Sequence, residues 1–381
     1  MGGALDIVVL GLSLRSAWGN GHATTYRALL RALEARGDRV LFLERDVPWY
    51  AQHQDAGDEL PGRLALYRDL DELRDGHAKA VAGADLVIVG SYVPQGIDVG
   101  AWVQETARGV VAFYDIDTPV TLAALQRRAC DYLSPELVAG YDLYLSFTGG
   151  PALETLRRHY AAPMPVPLYC SADPECYFPE PIDADYDLGY MGTYSQDRQP
   201  VLERLLAGPA RDWPQGRFVV AGPQYPDTLR WPGNVERIEH LPPSAHRRFY
   251  NRQRFTLNVT RADMVAMGHS PSVRLFEAAA CGTAIVSDAW TGLDSLFRPG
   301  QEILVAQSGD QVLRWLRDTP EDARRRIGEA VRRRFLSEHT PAHRAQALHD
   351  YHERAAARAA RPHHARRTAH EQAFVQADHQ P

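Results

Sequence analysis

The chain has 381 residues, 45% of them apolar and 24% charged, the balance of an ordinary soluble globular protein with room for two or three domains. Its 48 acidic and 42 basic residues leave a net charge of −6. There is no basic surplus to neutralise a phosphate backbone, so no general nucleic-acid binding is expected.

In chain order, short apolar runs at residues 7–12, 40–44, 86–90, 110–114, 143–147 and 166–169 predict strands, with helical patterns at 23–36, 69–81, 119–128 and 151–160 between them. Apolar runs of that length fit strands buried on both faces, as in a parallel sheet covered by helices. Residues 1–169 therefore read as one doubly wound α/β domain. Residues 170–186 are rich in Pro, Asp and Glu without either period, and predict a linker. The alternation resumes over 187–338, with strands at 188–191, 218–221, 255–259, 284–287 and 303–305 and helices at 200–206, 244–252, 271–281, 310–317 and 320–335. Thr340 and Pro341 open a last helix over 339–360. Residues 361–381 lack apolar periodicity and are expected to be disordered.

The fold expected is thus α/β, two tandem Rossmann-like domains facing each other across a cleft where ligands bind at the carboxyl edges of the sheets. Cys130, Cys170, Cys176 and Cys281 show no disulfide or metal-ligand spacing, which suits a reducing, cytoplasmic compartment. Asp6 precedes any long apolar run, so no secretory leader is expected. No stretch approaches the ~18 apolar residues of an integral membrane segment. Lys79 is the only lysine, which all but removes Schiff-base chemistry.

The stretch 258–296 carries the chemistry. Ser270 followed by Pro271 predicts a helix start, whose free N–H groups and dipole make an anion site facing the cleft. Ser272 adds a hydroxyl and Arg274 a guanidinium. Glu277, two turns behind, is placed to accept hydrogen bonds from ribose hydroxyls. The same run also describes a capped helix packed on a sheet, with Arg274 and Glu277 at its surface.

The run SPSVRLFEAAACGTAIVSDAWTGLD resembles the donor-binding segment of GT-B glycosyltransferases (glycosyl transferases group 1), most nearly the spore-maturation, CgeB-like group. The stretches GLSLRSAWGNGHATTYRALLRALEARGDRVLFLERD, YDIDTPVTL, YMGTYSQDRQPVLERLL and HLPPSAHRRFYNRQRFTLNVTRADM agree with it. The resemblance implies a nucleotide diphosphate-sugar as co-substrate on the C-terminal domain and an acceptor on the N-terminal one. It implies donor contacts from Gly192, Thr193, Arg198, His269, Ser270, Ser272, Val273, Arg274 and Glu277. Glu277 matches the ribose-gripping second glutamate of the E-x7-E motif, while His269 stands where the first is expected. Gly192–Thr193 replaces the usual Gly-Arg, and Arg198 takes the place of a lysine.

On the acceptor side, Gly19, Asn20 and Gly21 form a glycine-rich loop leading to His22, and Asp115 and Asp117 follow a strand on the same sheet edge. A histidine oriented by an aspartate about 95 residues later resembles the His–Asp dyad of inverting GT-B enzymes. The alternatives are helix capping by His22 and by Asp117. Asp115-x-Asp117 imitates a metal-binding DxD motif, but in the domain away from the donor, so no metal and no other cofactor is expected. The expected function is metal-independent sugar transfer to an unknown acceptor hydroxyl, of hexosyltransferase type. A 2-epimerase wants acids around the sugar, and residues 264–271 hold none. A two-domain binding protein leaves the anion site and Glu277 unexplained. A Rossmann dehydrogenase fails on its fingerprint, since Thr24 stands where the third glycine belongs.

Overall fold

A computed structural model of the chain describes residues 3–18, 22–55 and 60–359. Gly19, Asn20 and Gly21, and the segment beyond 359, lie outside the described residues.

The first domain is built on seven parallel strands: β1 (Asp6–Gly11), β2 (Arg39–Arg45), β3 (Arg63–Tyr67), β4 (Leu86–Gly90), β5 (Val110–Asp115), β6 (Leu143–Ser146) and β7 (Pro165–Pro167). Their spatial order is β3-β2-β1-β4-β5-β6-β7. The second has six parallel strands, β8 (Tyr186–Met191), β9 (Phe218–Ala221), β10 (Val235–Ile238), β11 (Gln253–Asn258), β12 (Ala284–Asp288) and β13 (Leu304–Ala306), ordered β10-β9-β8-β11-β12-β13. In each sheet the order reverses between the first and fourth strands, which opens a crevice at their carboxyl ends. Chain entering helices after β1, β4 and β5, and after β8 and β11, therefore lines the facing edges.

The central strands β4, β5 and β6 are buried along their whole length, as their unbroken apolar runs require. Edge strands β3 and β10 are half exposed and mix charged residues (Arg63; Glu236 and Arg237) with apolar ones, so their periodicity is faint; both are absent from the sequence reading. So is the helix Gly96–Thr106, which begins at Gln95 in a left-handed conformation where no capping side chain signals a start.

The last helix, Pro341–Ala359, is not a separate appendage. It crosses back to the first domain and packs on helix His22–Ala35 and on β5 and β6. His349 Nε2 lies 2.8 Å from Asp38 Oδ2 with both side chains buried. Tyr351 donates to the Pro167 carbonyl and Arg344 to that of Tyr169. The chain thus passes between domains twice, at 168–185 and again near His339, and Ser171 Oγ joins the two crossings by donating to the His339 carbonyl.

Candidate functional site

On the edge of the second sheet, β8 ends at Met191 and the chain turns through Gly192 and Thr193. The turn is tight at Gly192: a Cβ there would come within 2.9 Å of Arg274 Nη2 and 2.5 Å of the Tyr190 hydroxyl, so a larger residue would displace one or both of these side-chain ends. Arg274 is buried, with Nε donating to the Met191 carbonyl (2.5 Å) and Nη1 to Asn258 Oδ1 (2.9 Å), and its guanidinium lies over the Tyr190 ring. Arg198 points back along the same turn, Nη2 donating to the Thr193 carbonyl (2.6 Å), while its buried Nε has no partner among the described residues. Burial pulls its pKa below the ordinary arginine value, and the neighbouring Arg274 and Arg261 guanidinium groups pull the same way. None of Arg198, Arg261 and Arg274 forms an ion pair with a described carboxylate, although many of the chain's other arginines do. Asp288 feels Arg274, but its oxygens are taken by the Thr260 amide and hydroxyl. Three cations gathered with only Asp288 described as acting on one of them repel one another, and an anion placed among them relieves that repulsion.

The second helix after β11 begins later than Ser270–Pro271 predicts. It spans Val273–Cys281 with Ser272 at the N-cap. The reason is tertiary. Ser270 Oγ bonds Thr148 Oγ1 of the first domain (2.8 Å), and Ser272 Oγ donates to Asn258 Oδ1 (2.8 Å), so neither hydroxyl caps the helix. The Leu275 amide turns back to the Ser272 carbonyl (3.2 Å), which leaves the amides of Val273, the first helical residue, and Arg274 without a side-chain cap among the described residues. His269 adopts a left-handed backbone (φ 50°) and holds the Thr291 carbonyl through its N–H and the Gly149 amide through its C=O. Its ring fills the space left by the missing side chains of Gly150 and Gly292, so it joins the two domains.

Glu277 is 3% exposed, deeper than a surface ion pair allows. Tyr250 donates to one carboxylate oxygen (2.7 Å) and Tyr177 to the other (3.0 Å), with His246 Nδ1 3.8 Å away. Burial pushes this carboxyl up, but His246 and the two hydroxyls outweigh it and hold the pKa below the ordinary value. Glu277 also lines an interdomain cavity of about 410 Å³, together with Thr24, Arg27, Tyr177, Ser244 and Arg247.

On the opposite edge the two aspartates separate. Asp115 is fully buried: it accepts from Tyr144 (2.6 Å) and Thr121 (2.7 Å), and burial raises its pKa to about 6. This corrects its placement as a cleft residue, and a DxD-like pair of carboxylates pointing at one ligand does not form. Asp117 does face the cleft. It sits at the N-cap of helix Thr118–Gln126 without making a side-chain cap bond, accepts from the Tyr92 hydroxyl (3.1 Å), and lies 3.9 Å from His22 Nε2. Burial pulls the His22 pKa below 6.5; Asp117 opposes this and Arg261 adds to it. The imidazole is therefore neutral at pH 7 and able to accept a proton.

Arg261 acts on both His22 and Arg198, so it stands between the two edges. Sequence reasoning passed over it, as it did Asn258 and Tyr92. Its place just past the carboxyl end of β11 was the available signal. The residues after it form helix Ala262–Met267, which packs against helix Thr118–Gln126 of the other domain. Across the mouth of the cleft, the Trp18 ring lies 4.0 Å from that of His240.

Residues 198–350 match a family model described as "Glycosyl transferase-like". No curated protein matches the chain by sequence. Solved structures share its fold over most of its length. Sucrose-phosphate synthase from Thermosynechococcus elongatus superposes with a TM-score of 0.66 at 16% identity, covering 91% of this chain and 98% of that one. HepE of Anabaena, solved with UDP and glucose, gives 0.63 at 13% identity over 91% and 98%. An alpha-glucosyltransferase in complex with UDP gives 0.70 at 13% identity over 92% and 100%. The fold is that of the GT-B glycosyltransferases.

Proposed function

We propose that the chain transfers a sugar, hexosyl in type, from a nucleotide diphosphate-sugar to an acceptor hydroxyl, without metal or other cofactor. The observation that carries this reading is the cluster of Arg198, Arg261 and Arg274 at the open N-terminus of helix Val273–Cys281. It offers positive charge without a described carboxylate partner where two sheet edges meet. A leaving diphosphate develops negative charge as the glycosidic bond breaks, and preorganised guanidinium and amide donors stabilise that charge as it forms. Gly192 allows the backbone to approach the phosphates, and the cavity beside Glu277 accepts the nucleoside. UDP occupies the related fold of the alpha-glucosyltransferase and of HepE, which supports a nucleotide donor here.

His22, set against Asp117, takes the proton from the acceptor hydroxyl as it attacks. Asp117 steadies the imidazolium that results. The likeness to the CgeB-like group in the motif stretches and the free thiols of Cys130, Cys170, Cys176 and Cys281 agree with an enzyme of a reducing, cytoplasmic compartment.

The test separates the two halves of the site. Arg198→Ala should weaken nucleoside diphosphate binding by about 10-fold or more, in line with ~1.5–3 kcal/mol for a charged hydrogen bond. His22→Ala should leave that affinity unchanged and lower turnover by about 100-fold or more. Diphosphate affinity unmoved by Arg198→Ala removes the donor site from this cluster.

A further inference from the structure

Tyr92 occupies a conformation that bulky side chains avoid. It lies two residues past the carboxyl end of β4 with φ 65°, in the left-handed region that favours glycine. Such a backbone persists only where its surroundings hold it, and it collects at functional sites. Here the surroundings are specific. The Ser91 amide donates to the Tyr114 carbonyl and the Ser91 hydroxyl accepts from the Ile116 amide, which pins the residue before it. The Tyr92 ring stands between two others: His22, nearly parallel at 6.0 Å and 12°, and Tyr132 at 4.7 Å. Its hydroxyl meets Asp117 Oδ2 at 3.1 Å.

We propose that Tyr92 is the positioning residue of the His22–Asp117 pair, one strained side chain that fixes the imidazole plane with its ring and the carboxylate with its hydroxyl. An extended backbone at position 92 would carry the ring away from both, so the left-handed turn is what the task requires. Burial and the carboxylates of Asp117 and Asp115 push the phenol well above its ordinary range, so it remains a donor throughout the working pH. Its hydrogen bond draws charge from Asp117 and so moderates the pull of that carboxylate on the imidazolium. The charged group facing His22 from the other domain is Arg261, and Phe147 meets its ring edge-on at 6.4 Å. Neither reaches Asp117 in place of Tyr92. This role rests on the proton-transfer reading of His22, but the coupling itself can be measured without catalysis.

The experiment follows the His22 imidazole by NMR in histidine-labelled protein, assigned by the loss of its signal in His22→Gln. Tyr92→Phe keeps the ring and deletes the hydroxyl. Asp117 then pulls unmoderated, and the His22 pKa should rise by about half a unit. In an Asp117→Asn background the same change should move it by less than about a tenth of a unit, because the route through the carboxylate is gone. The acid limb of kcat/KM should shift with the NMR value while the donor KM stays fixed. A His22 pKa that is unmoved or lowered in Tyr92→Phe, or that moves equally without Asp117, overturns the assignment. If His22→Gln turns over at the wild-type rate, the base reading of His22 fails separately, and the titration still decides whether Tyr92 sets the pair. Should Tyr92→Phe fail to fold, Tyr92→Leu, which also deletes the hydroxyl and adds no titratable group, gives the second reading: a rise in the His22 pKa that is lost in the Asp117→Asn background supports the coupling, and no rise overturns it.

Discussion

Single residues in this cleft carry two kinds of duty, and the burial of Glu277 separates them. Both of its oxygens already accept from tyrosine hydroxyls. Glu277→Ala should therefore lower stability as well as nucleotide affinity, since two buried hydroxyls lose their acceptor at about 1–3 kcal/mol each. Glu277→Gln keeps one acceptor and should melt closer to wild type. A melting temperature unchanged in Glu277→Ala, read by calorimetry, would show that the tyrosine bonds contribute nothing. For His22 the sign of the pH dependence follows from its role. A base works unprotonated, so kcat/KM should fall as pH drops through a pKa below 6.5, and the plateau should extend beneath the ordinary histidine range. An activity that instead falls on raising the pH through 6 would assign His22 the acid role. Arg274 and Glu277 were picked out by the helix-start pattern, His22 and Asp117 by their place on a sheet edge, and Arg198 by the family resemblance alone. Asp115 was misread because a place at the end of a strand does not show whether the carboxylate finds buried partners. Here the carbonyl end of β5 aims Asp115 at Tyr144 and Thr121. Arg261 and Tyr92 left no motif, only a place in the topology.

At the scale of elements, the helix Val273–Cys281 shows where local signals lose to tertiary contacts. Ser-Pro is a good helix start, yet Ser270 is drawn across to Thr148 and the helix begins two residues beyond Pro271. The crossing near His339 has a similar tertiary origin and a measurable consequence. Its imidazole packs against Phe276 and Phe297, with Nε2 on the Leu296 carbonyl and Nδ1 beside Arg344. Burial, with Arg344 adding to it, lowers its pKa to about 4. Unfolded, it titrates near 6.5, so the unfolded chain binds the extra proton between these values. The stability it supplies is complete above pH 6.5 and lost as pH falls toward 4, on the order of 3 kcal/mol. His339→Gln, which keeps a donor for Leu296, should flatten the melting curve across that window. A variant that loses stability on acidification as steeply as wild type would place the sensitive group elsewhere.

For the whole molecule, the alternation of strand and helix made the two-domain architecture legible before any coordinates, because buried parallel strands must be apolar and nearly continuous. The return of helix Pro341–Ala359 to the first domain was not legible. Its partners, such as Asp38 for His349, lie about three hundred residues away, and no local pattern records them. That return, with the linker at 168–185, gives two chain crossings side by side, while Ser270, His269 and helix Ala262–Met267 make further contacts between the two domains.

The central claim is that the arginine cluster binds the diphosphate of a nucleotide donor, and melting of the intact chain tests it most directly. UDP, GDP, ADP, CDP and dTDP are each added near millimolar to wild type and to Arg198→Ala. A ligand at about a hundred times its Kd adds ~2.7 kcal/mol. For domains of this size that raises Tm by roughly 5–10 °C. The account predicts such a rise with at least one of the five in wild type, and a smaller one in Arg198→Ala. No rise with any diphosphate, or one that Arg198→Ala leaves intact, would contradict it.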